Sequence, residues 1–164
     1  MARPPNLTKM TWEEVKDVVG RGDLAVLGRS QQQQQEYDAF YNKTKSEWLS
    51  IADFLLASKF NYQVFEADIE GSKKKQVHRT NVTIEQEKLV LAPNDFPYYF
   101  EDGIQHFILW KLGGEITEQE AVDAAMRLRT KNPSYVDHVI YINPPHLKSI
   151  PEIEHAHVLL YQSS

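Results

Sequence analysis

The hydrophobic period changes once along this chain, near residue 60, and that change limits the folds open to it. Between residues 11 and 60 the apolar side chains recur at helical spacing. Thr11-Trp12-Glu13-Glu14 is a capping box, in which the Thr hydroxyl takes a free backbone N–H and Glu14 reaches back. Trp12, Val15, Val18 and Val19 follow, and Gly20 and Gly22 end the helix because glycine accepts the left-handed conformation. A second helix is expected after Ser30, opening on Gln31 to Gln35 and carrying Tyr37, Phe40 and Tyr41. Trp48, Leu49, Ile51, Phe54, Leu55 and Leu56 predict a third, so that residues 11–60 read as helical throughout.

Beyond residue 60 the blocks are short and β-branched. Strands are expected over 62–65, at Val77, over 81–84 and 88–91, and over 103–110, the most apolar of them. Gly113-Gly114 closes that strand, and Thr117 to Glu120 is a second capping box. Ala121, Val122, Ala125, Met126 and Leu128 predict the buried stripe of the helix it starts. A strand over 136–143, a loop over 144–154 and a last strand over 155–161 complete the chain. This order predicts an α+β fold, with a helical N-terminal third packed on a mainly antiparallel sheet. At 164 residues and about 150 residues per domain, 1–164 is expected to be a single domain. Residues 1–10 are expected to be flexible.

Composition removes several function classes. Without cysteine there is no disulfide framework, thiolate metal site or cysteine nucleophile. No apolar run approaches the roughly 18 residues of a membrane span, and the opening MARPPNLTKM has no apolar signal segment. The cytoplasm is the expected compartment. Net charge is −5, and the one dense basic run, Lys73-Lys74-Lys75, sits among acids. It reads as a solvated hairpin or loop and not a nucleic-acid patch.

The chemistry concentrates late in the chain. Alternation places His155, His157 and Leu159 on one face of the last strand and Ala156, Val158 and Leu160 on the other. The second face is wholly apolar and is expected to be the buried one, leaving the two imidazoles on a polar face, about 7 Å apart at Cα. Like charges on neighbours depress proton affinity, and a neutral imidazole can ligate a metal or attack phosphorus. His106 shares a strand face with Ile104, Ile108 and Trp110 and reaches the histidine pair if the two strands pair. The loop around Asp95, Phe96 and Tyr98 is stiff, aromatic and acidic, suited to stacking on a base or sugar. Asn143, His146, Lys148 and Ser149 form a polar set between prolines that can grip an anion. An alternative is a divalent-metal site of His155, His157 and His106 or Glu154, with Asp95, Glu101 or Asp102 as carboxylate donors.

The strings LGRS, NDFPYYFEDGIQHFILWKL and INPPHLKSIPEIEHAHVLL, with the motifs N-D-x-P-Y, G-I-x-H, L-K-S-[IV] and H-x-H-V, resemble the fungal family named for N-acetylglucosamine-induced protein 1, a domain of unknown function. The resemblance implies a fungal source and an amino-sugar response, and no particular reaction. The C-terminal half also resembles, more weakly, the histidine triad superfamily, which hydrolyses or transfers nucleoside phosphates. That resemblance implies a histidine-triad-like C-terminal half. It makes His157 the nucleophile of a phosphoester hydrolase or nucleotidyl transferase and His155 its orienting or protonating partner. Asn143, Lys148 and Ser149 would hold phosphate oxygens. Leu159 stands where the third histidine of the triad would be. The expected ligand is a nucleotide, sugar phosphate or amino sugar, bound with or without turnover; a metal cofactor and the oligomeric state stay open.

Overall fold

The computed structural model describes residues 3–78 and 88–163, and the strand expected over 81–84 lies outside the described residues. Three helices come first: α1 (Trp12–Gly20), α2 (Gln31–Glu47) and α3 (Ile51–Phe60). Thr11 caps α1 and Ser30 caps α2, each through a complete capping box. Gly22, with φ of 75°, supplies the left-handed turn after α1. The helical stretch is not continuous. Trp48 is extended and ends α2, and Leu49 is half exposed, because Ser50 caps a new helix by accepting from the Asp53 N–H.

A hairpin follows, β1 (Val64–Ile69) with β2 (Ser72–Val77), turning at Gly71. The lysine run lies on β2 and is less solvated than its charge implies. Lys74 donates to the carbonyls of Lys45 and Ser46 at the end of α2, at 3.1 and 2.8 Å, where a cation complements the helix dipole. Lys75 sits over the Trp48 ring.

The remaining strands are β3 (Lys88–Pro93), β4 (Ile104–Leu112), β5 (Tyr135–Tyr141) and β6 (Glu154–Gln162), with α4 (Glu118–Lys131) between β4 and β5. They form an antiparallel sheet of order β3-β4-β6-β5. The α+β class read from the sequence holds. On one face of the sheet, Leu109, Ala156, Val158 and Leu160 pack with Ala121, Ala124 and Ala125 of α4. Small alanines let the helix approach closely, and the stripe runs through Ala124 and not through Met126, which is exposed.

The opposite face carries the histidines, and here the expectation of a polar, open face fails. His106, His155 and His157 are all at least 94% buried. The cause is the helical N-terminal third. One apolar cluster, containing Trp12, Val15, Val18 and Leu27, covers Tyr98, Phe100, Ile104, Tyr141 and Leu159. A second, built from α3, covers Ile108, Trp110 and Ile153. Residues 3–10, expected to be flexible, also make specific contacts. Arg3 donates to the Leu24 and Leu27 carbonyls and to Asn143, and Met10 bridges to the segment at Phe100. Among the described residues no helix is long and apolar enough to cross a membrane.

Candidate functional site

Strand register assembles the buried histidines. On the face shared by β4 and β6, Trp110 lies opposite His155, Ile108 opposite His157, and His106 opposite Leu159. His106 is therefore the diagonal neighbour of His157, within reach for aromatic side chains, and their Nε2 and Nδ1 atoms are 2.7 Å apart. Across β5, Tyr141 pairs with His157 and stacks on it at 4.6 Å with 2° between the planes. An imidazole thus stands against Leu159 after all, supplied by the neighbouring strand.

The proton positions follow from the partners. The Tyr98 backbone N–H points at His106 Nδ1, 3.2 Å away, so that nitrogen carries a lone pair. Burial, with Arg29 nearby, pushes the His106 pKa down to about 3. The neutral ring therefore carries its proton on Nε2 and donates it to His157 Nδ1. Burial, then the neighbouring His106 and His155, hold His157 well below the ordinary histidine range. With Nδ1 accepting, the single proton of His157 sits on Nε2, 3.1 Å from the Asn143 Nδ2, so the Asn143 amide has to turn its oxygen to that side to accept it. His155 differs. Its Nδ1 donates to the Ile153 carbonyl at 2.9 Å, which leaves a lone pair on Nε2. Burial also lowers its pKa, opposed by that same hydrogen bond.

The other expected site residues divide between two recesses that meet at Arg29 and Ser149. The larger, about 500 Å³, is lined by Arg3, Arg29, Tyr98, His146, Lys148 and Ser149 and by the first turns of α2. The smaller, about 60 Å³, is lined by Asp95, Phe96, Ser149, Trp110, His155 and His157 among others. Asp95 stands at its rim, paired with Lys59 at 3.0 Å. Lys148 is 3.4 Å from Glu154. His106 and Asn143 lie behind the recesses, buried, with Asn143 linking His157, the Tyr98 hydroxyl and Arg3.

The metal alternative does not assemble. Two imidazoles on one tetrahedral ion stand about 3.3 Å apart at nitrogen, and His106 and His157 are 2.7 Å apart and share a proton. Glu101 accepts from the Trp12 N–H and Asp102 pairs with Lys9, on another part of the surface. Among the described residues no group of three or more His, Asp or Glu side chains can hold a metal.

Two residues that sequence reasoning missed dominate the charge of the site. The Arg29 guanidinium lies over the Tyr37 ring at 4.3 Å and the Tyr98 ring at 5.2 Å, while its Nε donates to the Phe96 carbonyl. Arg3 lies 5.3 Å from the same Tyr98 ring. Neither has a carboxylate partner among the described residues. Burial lowers the Arg29 pKa, and Arg3 adds to the effect, yet an arginine stays charged. The one signal for Arg29 was its place in LGRS, just ahead of the Ser30 capping box; for Arg3 there was none.

A model of the family described as "Protein of unknown function (DUF3605)" matches residues 11–161. An uncharacterised protein of Saccharomyces cerevisiae, YPL067C, is 28% identical over 163 residues, covering 92% of this chain and 78% of its own. N-acetylglucosamine-induced protein 1 of Candida albicans is 25% identical over 173 residues, covering 92% of this chain and 67% of its own. The crystal structure of HTC1 matches the fold with a TM-score of 0.59 and 25% identity, over 93% of this chain and 85% of that one. The fungal resemblance read from the sequence motifs is upheld.

Proposed function

The chain belongs to the DUF3605 family, and from that premise we propose that it binds a phosphorylated small molecule, a nucleotide or sugar phosphate, without using His157 as a nucleophile. The observation that carries this reading is the convergence of Arg3 and Arg29 on Tyr98, beside Lys148 and Ser149, with no carboxylate against either guanidinium among the described residues. A half-buried cation without a counter-ion is costly, and planar guanidinium groups match phosphate oxygens bidentately. The first turn of α2 on the same wall adds its dipole. Asp38 is the one acidic side chain on that wall, and it is exposed.

The hydrogen-bond order supports binding over turnover. A nucleophilic imidazole needs a lone pair at the attacking nitrogen. His106 fills His157 Nδ1, so Nε2 is protonated. That proton is satisfied when Asn143 turns its oxygen toward His157. That turn takes from Arg3 the Asn143 oxygen to which it donates at 2.9 Å, and a phosphate supplies the replacement acceptor. The histidine-triad resemblance enters as an arrangement of strands whose third imidazole comes from His106 and in which His106 and His157 are structural. The name of the Candida relative fits an amino-sugar phosphate among the possible ligands.

The test is calorimetric titration with glucose 6-phosphate and adenosine 5′-monophosphate. Arg29→Gln should weaken binding at least tenfold, as losing a bond to a charged group costs about 1.5–3 kcal/mol. His157→Gln should leave any phosphate release unchanged. Equal binding by Arg29→Gln, or phosphoester turnover abolished by His157→Gln, overturns the reading.

A further inference from the structure

The recess beside the cation cleft is lined by His155, Trp110 and Tyr37, each with a hydrogen-bonding atom that no described residue uses. His155 Nε2 keeps a lone pair, since Nδ1 is spent on Ile153, and no described residue donates to it. The Trp110 ring, paired with His155 across the strands, is 6% exposed, and its indole N–H is buried without a partner. Buried donors are rarely left so. Both rings line the recess, with Tyr37, Phe40 and Phe96 forming its aromatic wall. Phe96 packs against Tyr37 and Phe40 at 5.5 and 4.8 Å between ring centres.

Size and charge narrow the occupant. About 60 Å³ gives room for roughly four to six waters at 10–15 Å³ each. That suits the hydroxyls and one edge of a single sugar ring, and not a nucleobase as well. At the rim Asp95 is paired with Lys59, so neither charge is left to call for a second ionic group. A sugar hydroxyl donates to His155 Nε2, another accepts from Trp110 Nε1–H, and the C–H face of the ring rests on the aromatic wall.

We propose that this recess receives the hydroxyl-bearing edge of the sugar ring of a ligand whose phosphate lies in the adjoining cation cleft, with His155 and Trp110 reading its hydroxyls. The proposal rests on the phosphate reading of that cleft. It makes His155, and not His157, the histidine that touches ligand.

Calorimetry on the wild type, His155→Phe and Trp110→Phe with inorganic phosphate, glucose 6-phosphate and adenosine 5′-monophosphate tests it. The wild type should bind at least one of the two sugar-bearing ligands tenfold or more tighter than inorganic phosphate, and the preferred one tells hexose from ribose. Both variants should bind inorganic phosphate as the wild type does and keep less than threefold of that preference. If His155→Phe does not fold, Trp110→Phe decides alone. No preference in the wild type, or an intact preference in a folded variant, overturns the recess proposal while leaving the cleft standing. A wild type that binds no inorganic phosphate, or an Arg29→Gln variant that binds it equally well, overturns the cleft reading and the recess proposal with it.

Discussion

His106 Nε2 donates to His157 Nδ1 across 2.7 Å in the middle of a sheet face that the N-terminal helices cover. Neither ring can take up a second proton without breaking that bond or the one from the Tyr98 N–H. The pair is therefore a buried, neutral polar network whose members are held by one another.

Stability should consequently fall in mild acid. The folded pKa of His106, about 3, lies below the ordinary 6.5, and that of His157 is also held well below it by burial and by its histidine neighbours. A depressed pKa contributes stability that is full above the unfolded value and is lost as pH falls through the window beneath it. At pH 5, His106 should cost about 2 kcal/mol, from 1.36 kcal/mol per pH unit, and His157 adds to the loss in the same direction. Urea midpoints measured at pH 7.5 and pH 5 check this. Identical midpoints would mean that the rings reach solvent.

The α4 face of β6 gives a second expectation. Val158 is fully buried against the alanines of α4. Val158→Asp places a carboxylate there with no partner and should unfold the chain or cost more than about 4 kcal/mol. A soluble variant with an unchanged melting temperature would contradict the packing.

Much of this architecture was legible because local signals agreed with the global fold. All three capping boxes are present, two of them, at Thr11 and Thr117, read directly from the sequence. The alternation of β6 correctly sorted His155 and His157 from Ala156 and Val158. What alternation could not show is that both faces are covered. A period of two tells which residues share a face, not what lies over it, and the cover comes from helices far away in sequence. The same blindness hid Arg29, whose meaning depends on Tyr37, Phe96 and Tyr98 meeting around it. Asp95, Ser149, His155 and His157 were grouped by their chemistry, and the fold does bring them to one recess.

Gly103 is a further case where only the folded chain gives the reason. A Cβ built there would lie 2.7 Å from the Gln162 carbonyl oxygen, a backbone atom with little freedom. The Gly103 carbonyl accepts from the Gln162 N–H at 2.8 Å, which fixes the approach. Gly103→Ala should therefore pry β4 from the end of β6 and cost about 1–3 kcal/mol, as overpacking does. Thermal denaturation measures it. A neutral substitution would mean that the two segments are further apart than this.

The last expectation concerns Asn143, which faces both His157 Nε2, at 3.1 Å, and Arg3, at 2.9 Å. Asn143→Asp keeps the shape of the side chain and adds a negative charge at that point. Opposite charge within a few ångströms favours the protonated imidazole, so the His157 pKa should rise toward the ordinary histidine value. The sign for stability follows. With less depression of the folded pKa, less stability is lost on acidification, and the urea midpoint of the variant should change less between pH 7.5 and pH 5 than that of the wild type. The new carboxylate also supplies Arg3 with the counter-ion that the native cleft withholds, so phosphate should bind more weakly. Histidine Cε1–H titration by NMR follows the first effect and calorimetry with inorganic phosphate the second. A variant with an unmoved His157 resonance would show that Asn143 does not touch the ring. One that binds phosphate unchanged would show that Arg3 takes no part in holding the anion.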